Sequence, residues 1–219
     1  MSIFDQYESW VFDFDGVILD SNNLKTEAFH QVALPYGKKE ADALCTYHVA
    51  HGGISRFVKF EYFFETILGR APKEGEIDQA LDDFAKAVTQ GMLTCRQTPD
   101  FATLMEGPLS ELPCTVISGS MQAELRNVMD QRGILKYFDN VFGSPDNKDV
   151  IFKRECDTGG IKKSAVYIGD SLYDYKMASK YGLDFIFAYD WTEFKEWKTF
   201  FSDKKEVRII KNLSELKSL

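Results

Sequence analysis

Trp10-Val11-Phe12-Asp13-Phe14-Asp15-Gly16-Val17 joins a short apolar run to two carboxylates and a glycine. The run is apolar at successive positions, as in a strand buried on both faces. Alternation along a strand places Asp13 and Asp15 on one side, where both can face a single ligand. Buried like charges cost several kcal/mol unless a cation or proton intervenes; a capped turn with exposed acids is the other reading of this segment alone. The same design recurs downstream. Thr115-Val116-Ile117 runs into Ser118-Gly119-Ser120, Val141-Phe142 into Gly143-Ser144-Pro145, Ala165-Val166-Tyr167-Ile168 into Gly169-Asp170, and Phe185-Ile186-Phe187-Ala188 into Tyr189-Asp190. Helical patterns lie between these runs: Met121 to Arg132, Val150 to Cys156, and Leu172 to Lys180. Strand and helix in alternation predict an α/β fold with a parallel sheet and right-handed crossovers. In such sheets ligands gather at the carboxyl ends of the strands, where every polar cluster above falls.

The stretch from Ser21 to Thr94 has a different character, with helical patterns at Leu24 to Leu34, Lys39 to His48, Ser55 to Leu68 and Glu74 to Leu93. It is expected to be a helical insert, residues 21–94, between core segments 1–20 and 95–219, with hinges near Asp20-Ser21 and Thr94 to Pro99. Val207 to Ile210 reads as a last strand and Leu213 to Leu219 as a short terminal helix. The chain has 219 residues, 44% hydrophobic and 14% aromatic, enough to bury a core and to exclude a disordered chain. Its net charge of −8 argues against nucleic acid or an anionic membrane as the main partner. No CxxC pair occurs among Cys45, Cys95, Cys114 and Cys156, which read as reduced thiols. With no signal-like N-terminal stretch and no apolar run of membrane-spanning length, a cytoplasmic location is expected.

Three further clusters carry chemistry. Ser118-Gly119-Ser120, ahead of a helix, suits an anion as well as it suits an N-cap. Lys148 stands in a polar turn after a strand. Gly169-Asp170 through Asp174 places two acids at i and i+4, a spacing for a hard cation or for an acidic first helical turn. Together with Asp13-Phe14-Asp15-Gly16 these resemble, in order, the four motifs of the haloacid dehalogenase-like superfamily, most closely its β-phosphoglucomutase and phosphoglycolate phosphatase-like group. The resemblance implies a Rossmann-like core with an inserted helical C1 cap. It implies Asp13 as nucleophile and Asp15 as proton donor and acceptor. Ser118, the Gly119 N–H and Lys148 would hold the phosphoryl oxygens. Mg²⁺ would sit on Asp13, the Asp15 carbonyl and Asp170, with Asp174 behind them orienting water or Lys148. Asp15 itself favours phosphate esters, because members that cleave carbon–halogen bonds generally lack this second aspartate.

The activity so implied is Mg²⁺-dependent hydrolysis of a small phosphomonoester, such as a sugar, polyol or related metabolite phosphate, within carbohydrate metabolism and by a monomer. A phosphomutase and a non-catalytic ligand-binding protein are the alternatives, with a dehalogenase behind them. In the insert, Gly53-Ile54-Ser55-Arg56 resembles a cap segment whose arginine meets a substrate's distal anion, which makes Arg56 the specificity candidate; a surface arginine with Ser55 as helix cap is the plain alternative. Lys25 stands twelve residues after Asp13, where many such members carry histidine. It reads either as a contact to an anionic substrate or as solvated helix surface. His48 and His51 flank the Arg56 loop, and most of Phe57, Phe60, Tyr62, Phe63 and Phe64 is expected in the core of the cap.

Overall fold

A computed structural model of the protein describes residues 2–219; Met1, counted above with the first core segment, lies outside the described residues. Each apolar run forms a strand: β1 (Ser9–Phe12), β2 (Cys114–Met121), β3 (Asn140–Ser144), β4 (Ala165–Gly169), β5 (Asp184–Ala188) and β6 (Arg208–Ile210). They assemble into a six-stranded sheet in the order β3-β2-β1-β4-β5-β6, and every pairing is parallel. Phe12 at the end of β1 registers with Val116 of β2 and Ile168 of β4, so the polar segments after these three strands emerge side by side. Side-chain alternation supplies two apolar layers. Trp10, Phe12, Val116, Ile168 and Ile186 join one cluster, while Val11, Ile117, Tyr167, Phe185 and Phe187 join the other.

The insert between β1 and β2 is helical: α1 (Asn22–Ala33), α2 (Lys38–Ala50), α3 (Arg56–Tyr62), a π-helical turn at Phe63–Ile67, and α4 (Glu76–Thr94). Phe29, Phe60, Phe63, Phe64 and Phe84 are buried in it, with Phe29 packed 4.5 Å from Phe84 between ring centres. Phe57 and Tyr62 are half-buried, and Tyr62 stacks on Tyr47 at 3.7 Å. The chain enters and leaves the insert as a pair of hydrogen-bonded strands of backbone. The Asp20 N–H donates to the Arg96 carbonyl at 2.9 Å and the Thr98 N–H to the Ile18 carbonyl at 2.9 Å, and the Arg96 guanidinium grips Asp20. The expected hinge segments therefore lie against each other.

The remaining helices are α5 (Phe101–Met105), α6 (Gln122–Gln131), α7 (Lys148–Thr158), α8 (Leu172–Tyr181) and α9 (Trp197–Phe200). The polar-turn placement of Lys148 is corrected here. Asn147 caps the helix by accepting from the Val150 N–H at 2.9 Å, so the helix starts two residues before Val150 and Lys148 is its first residue. The terminal helix is a 3₁₀ segment, Leu213–Ser218. Among the described residues no helix is long and apolar enough to cross a membrane.

Candidate active site

Asp13 follows directly on β1 and continues its ladder, its N–H donating to the Ile168 carbonyl at 2.8 Å. Its Oδ1 accepts from the Phe14 N–H at 2.8 Å and lies 3.0 Å from Lys148 Nζ. Gly16, at φ +76°, then turns the chain back so that its N–H reaches the Leu19 carbonyl. A Cβ at Gly16 would fall 2.2 Å from Asp170 Oδ2, so the turn also lets β1 and β4 bring their carboxylates together.

Lys148 is wholly buried and fully coordinated. Besides Asp13 it donates to Asp174 Oδ1 at 2.6 Å and to the Tyr167 hydroxyl at 2.9 Å, which meets all three donors of an ammonium. Burial alone would lower its pKa; the Asp13 and Asp174 carboxylates more than reverse this and raise it. Asp174 accepts at Oδ2 from the Ser171 N–H and hydroxyl, while Ser171 accepts from the Asp174 N–H, closing a capping box at the start of α8. Asp174 thus takes the acidic first-turn place at the start of α8 with one oxygen and holds Lys148 with the other.

Asp15 sits in a second cluster. Its Oδ1 accepts from the Ser21 hydroxyl at 2.6 Å; its Oδ2 accepts from Ser120 at 2.9 Å and Ser118 at 3.4 Å and contacts Lys25 Nζ. Burial would raise this carboxyl, but the Lys25 ammonium and the hydroxyl donors outweigh it and hold the pKa low. Lys25 also donates to the Ser120 hydroxyl at 2.6 Å, and its side chain is only 15% exposed. The solvated-surface reading of Lys25 is thereby overturned: α1 leans over the strand ends, and its first turns face the site. Burial pushes Asp13 up to about 7 despite Lys148, with the Asp174 and Asp15 charges adding to the rise. Asp170 is raised well above the ordinary carboxylate value by burial and by Asp13 and Asp174.

Carboxylate oxygens of Asp13, Asp170 and Asp174 lie within 4.8 Å of one another, all buried. Asp174 has both oxygens committed to hydrogen bonds. Asp170 uses Oδ2 to accept from Asn22 at 2.8 Å, and Asp13 uses Oδ1, so each keeps an oxygen with no protein donor among the described residues. An all-oxygen set whose crowding raises two carboxyl pKa values fits a hard divalent cation.

These groups open onto a cavity of about 750 Å³ between sheet and insert, walled by Asp13, Asp15, Gly119, Ser120, Asp170 and Lys25 among others. Ser118 and Lys148 lie behind that wall, supporting Asp15 and Asp13. Arg56 reaches the wall but is 8% exposed, which excludes the surface reading. Both its terminal nitrogens engage Glu124 of α6, at 2.8 and 2.6 Å, tying α3 to the core, and Ser55 caps α3. His51 is exposed on Tyr47, whereas His48 is buried at the wall against Lys59. Asn22, Lys59, Glu124, Tyr167 and Glu193 escaped the sequence reading. Only Tyr167 carried a signal, since a tyrosine inside a buried strand needs a partner for its hydroxyl.

The profile of the haloacid dehalogenase-like hydrolases matches residues 10–188. Among solved structures, β-phosphoglucomutase from Clostridium difficile is 16% identical with a TM-score of 0.72, covering 96% of this chain and 93% of its own. A "predicted phosphatase" from Clostridium acetobutylicum is 17% identical, TM-score 0.73, with 97% of each chain covered. A haloacid dehalogenase-like family hydrolase from Streptococcus pneumoniae is 16% identical, TM-score 0.64, covering 97% of this chain and 98% of its own. No curated protein sequence matches the chain. The profile spans the sheet from β1 to β5 together with the inserted helices and Asp13, Asp15, Asp170 and Asp174, and by that match the chain belongs to the haloacid dehalogenase-like hydrolase family.

Proposed function

We propose that the protein is a Mg²⁺-dependent phosphatase acting on a small phosphomonoester. The observation that carries this reading is the pair Asp13 and Asp15, both open to one cavity but wired oppositely. Asp13 is held by Lys148 within an acidic cluster, where burial pushes its carboxyl up to about 7 and a cation would favour its ionised form. Asp15 is kept ionised by Lys25, Ser21 and Ser120.

Asp13 attacks phosphorus in line, forming an acyl phosphate as the ester oxygen leaves. Lys148 and the Phe14 N–H fix the orientation of this carboxylate through its Oδ1. Gly119 and Ser120 face the phosphoryl oxygens from the end of β2, with Ser118 and Lys148 holding the carboxylates from behind. Asp15 handles the protons. A phosphoryl group seated beside Lys25 competes for its ammonium; Asp15, so released, takes up a proton from solvent and gives it to the leaving oxygen, ending ionised again. Asp15 then takes one from the water that cleaves the acyl phosphate. Asp13, Asp170 and the Asp15 carbonyl would hold Mg²⁺, which would neutralise the carboxylate–phosphate repulsion and polarise the phosphoryl group. The insert excludes bulk water and admits only small esters.

The test is phosphate release from a library of phosphorylated metabolites, with Mg²⁺ and with EDTA. Release that stops in EDTA and falls at least ~10³-fold in Asp13→Asn is the expected result. Release that survives either change would remove Asp13 or the metal from the mechanism. An isomeric ester formed without free phosphate would make the protein a phosphomutase instead.

A further inference from the structure

Three buried carboxylates gather on the cavity floor, and one of them is steered from the insert. Asp13 is oriented at Oδ1 by Lys148 and the Phe14 N–H, and Asp174 by Lys148, Tyr167 and Ser171, all of them core residues. The Asp170 side chain has a single donor among the described residues, the Asn22 amide, which reaches its Oδ2 at 2.8 Å. Asn22 is the first residue of α1. Among the described residues, no other side chain or N–H of the insert hydrogen-bonds to these three carboxylates.

Both N–H groups of that amide are committed. Nδ2 also donates to the Trp191 carbonyl at 2.8 Å, in the segment after β5. Both partners only accept, so the nitrogen end of the carboxamide is the end that can serve them. The same segment grips Asp170 from its main chain: the Thr192 hydroxyl donates to the Asp170 carbonyl and accepts from the Phe194 N–H at 3.0 Å. One turn further along α1, the Thr26 hydroxyl donates to Glu193 at 2.7 Å, a second tie between this helix and this segment that does not touch Asp170. Gly16 leaves the room for the contact, since a Cβ there would fall 2.4 Å from Asn22 Nδ2. Asp170 is thus fixed at both ends, at its carbonyl by Thr192 and at Oδ2 by Asn22.

We infer that Asn22 is a positioning residue for the divalent cation: by holding Asp170 at Oδ2 it keeps the other oxygen turned to the metal, so that metal affinity depends on the insert as well as on the core. This presupposes that the carboxylate cluster takes a cation. Groups that hydrogen-bond to a ligating carboxylate set its orientation, and their loss is felt in metal affinity. A leucine at position 22 would fill a similar volume and offer no donor, which frees Asp170 to rotate.

Mn²⁺ alone is the probe, an ion that suits the same carboxylate and carbonyl oxygens. Its free aqua ion gives a paramagnetic resonance signal that is lost on binding, so affinity is read without substrate or turnover. The wild type is expected to bind a single Mn²⁺, and Asn22→Leu to raise the Kd by about 10- to 100-fold. Thr26→Val, which cuts the neighbouring tie, should keep the wild-type affinity; Asn22→Ala replaces the leucine variant if the latter does not fold. Wild-type affinity in Asn22→Leu overturns the inference and leaves the cation site standing. Equal weakening by Thr26→Val also overturns it, because the effect would then lie in the seating of α1 and not in Asp170. A wild type that binds no Mn²⁺ removes the metal and the role of Asn22 with it. Weakened Mn²⁺ binding in Asn22→Leu, alongside a wild type that releases phosphate from no ester, upholds Asn22 and sinks the phosphatase.

Discussion

Two buried lysines show how partners, rather than burial, set the state of a side chain. Lys148 and Lys59 are both almost completely enclosed. Lys148 is raised above the ordinary lysine value by two carboxylates, whereas Lys59 falls from 10.5 to about 7. The signs of their effects on stability are opposite. Lys59 binds its proton more weakly folded than unfolded, so between about pH 7 and 10.5 the unfolded chain carries more protons and stability rises with pH. Lys59→Met removes this liability. It is expected to be more stable than the wild type at pH 7, by on the order of 1–3 kcal/mol, with the gap closing toward pH 9.5. Urea denaturation at the two pH values measures this, and a variant less stable than the wild type at pH 7 would show that the nearby Glu193 and Asp15 carboxylates compensate Lys59 in full.

At the scale of elements, the site depends on helix starts and on one aromatic cluster. Helices α7 and α8 each begin at a strand end with a capped first turn, and those turns deliver Lys148 and Asp174 to each other at 2.6 Å. The insert is held from within by Phe84 of α4, which packs on Phe29 of α1 and Phe60 of α3 and sits 5.3 Å beneath the Arg56 guanidinium. Phe84→Ala should therefore cost about 3–5 kcal/mol, read as a lowered thermal midpoint. It should also loosen the wall that carries Arg56, Lys59 and His48. A midpoint within a degree of the wild type would mean that α1, α3 and α4 do not rely on this ring.

Across the whole molecule, the cavity exists because the insert closes onto the end of β2. A Cβ added at Gly119 would lie 2.6 Å from the Gly53 carbonyl, a backbone atom that cannot swing aside. Gly119→Ala is thus expected to push the Gly52–Ile54 loop off the sheet and lower kcat/KM by about 10- to 100-fold, with the core sheet intact. Small-angle scattering should register the opening as a larger radius of gyration. Unchanged kinetics and dimensions would show that the loop tolerates the shift. The Arg56–Glu124 pair spans the same boundary and explains why that arginine is not free to await a ligand.

Asp13, Asp15, Ser118, Lys148, Asp170 and Asp174 were all visible before folding, because each stands a few residues from the end of an apolar run. In a parallel sheet those ends must converge on one edge, so their neighbourhood follows from local pattern alone. The helical character of the insert was legible for the same reason, from periodicity within each segment. Asn22, Lys59, Glu124 and Glu193 had no such marker. Their partners lie far along the chain, as with Asn22 on Asp170 and Arg56 on Glu124, and whether a surface-type residue is buried depends on how the insert leans over the sheet. Lys25 shows the difference most plainly. Its sequence neighbours fit a solvated helix, and only the packing of α1 against the strand ends turned it onto Asp15.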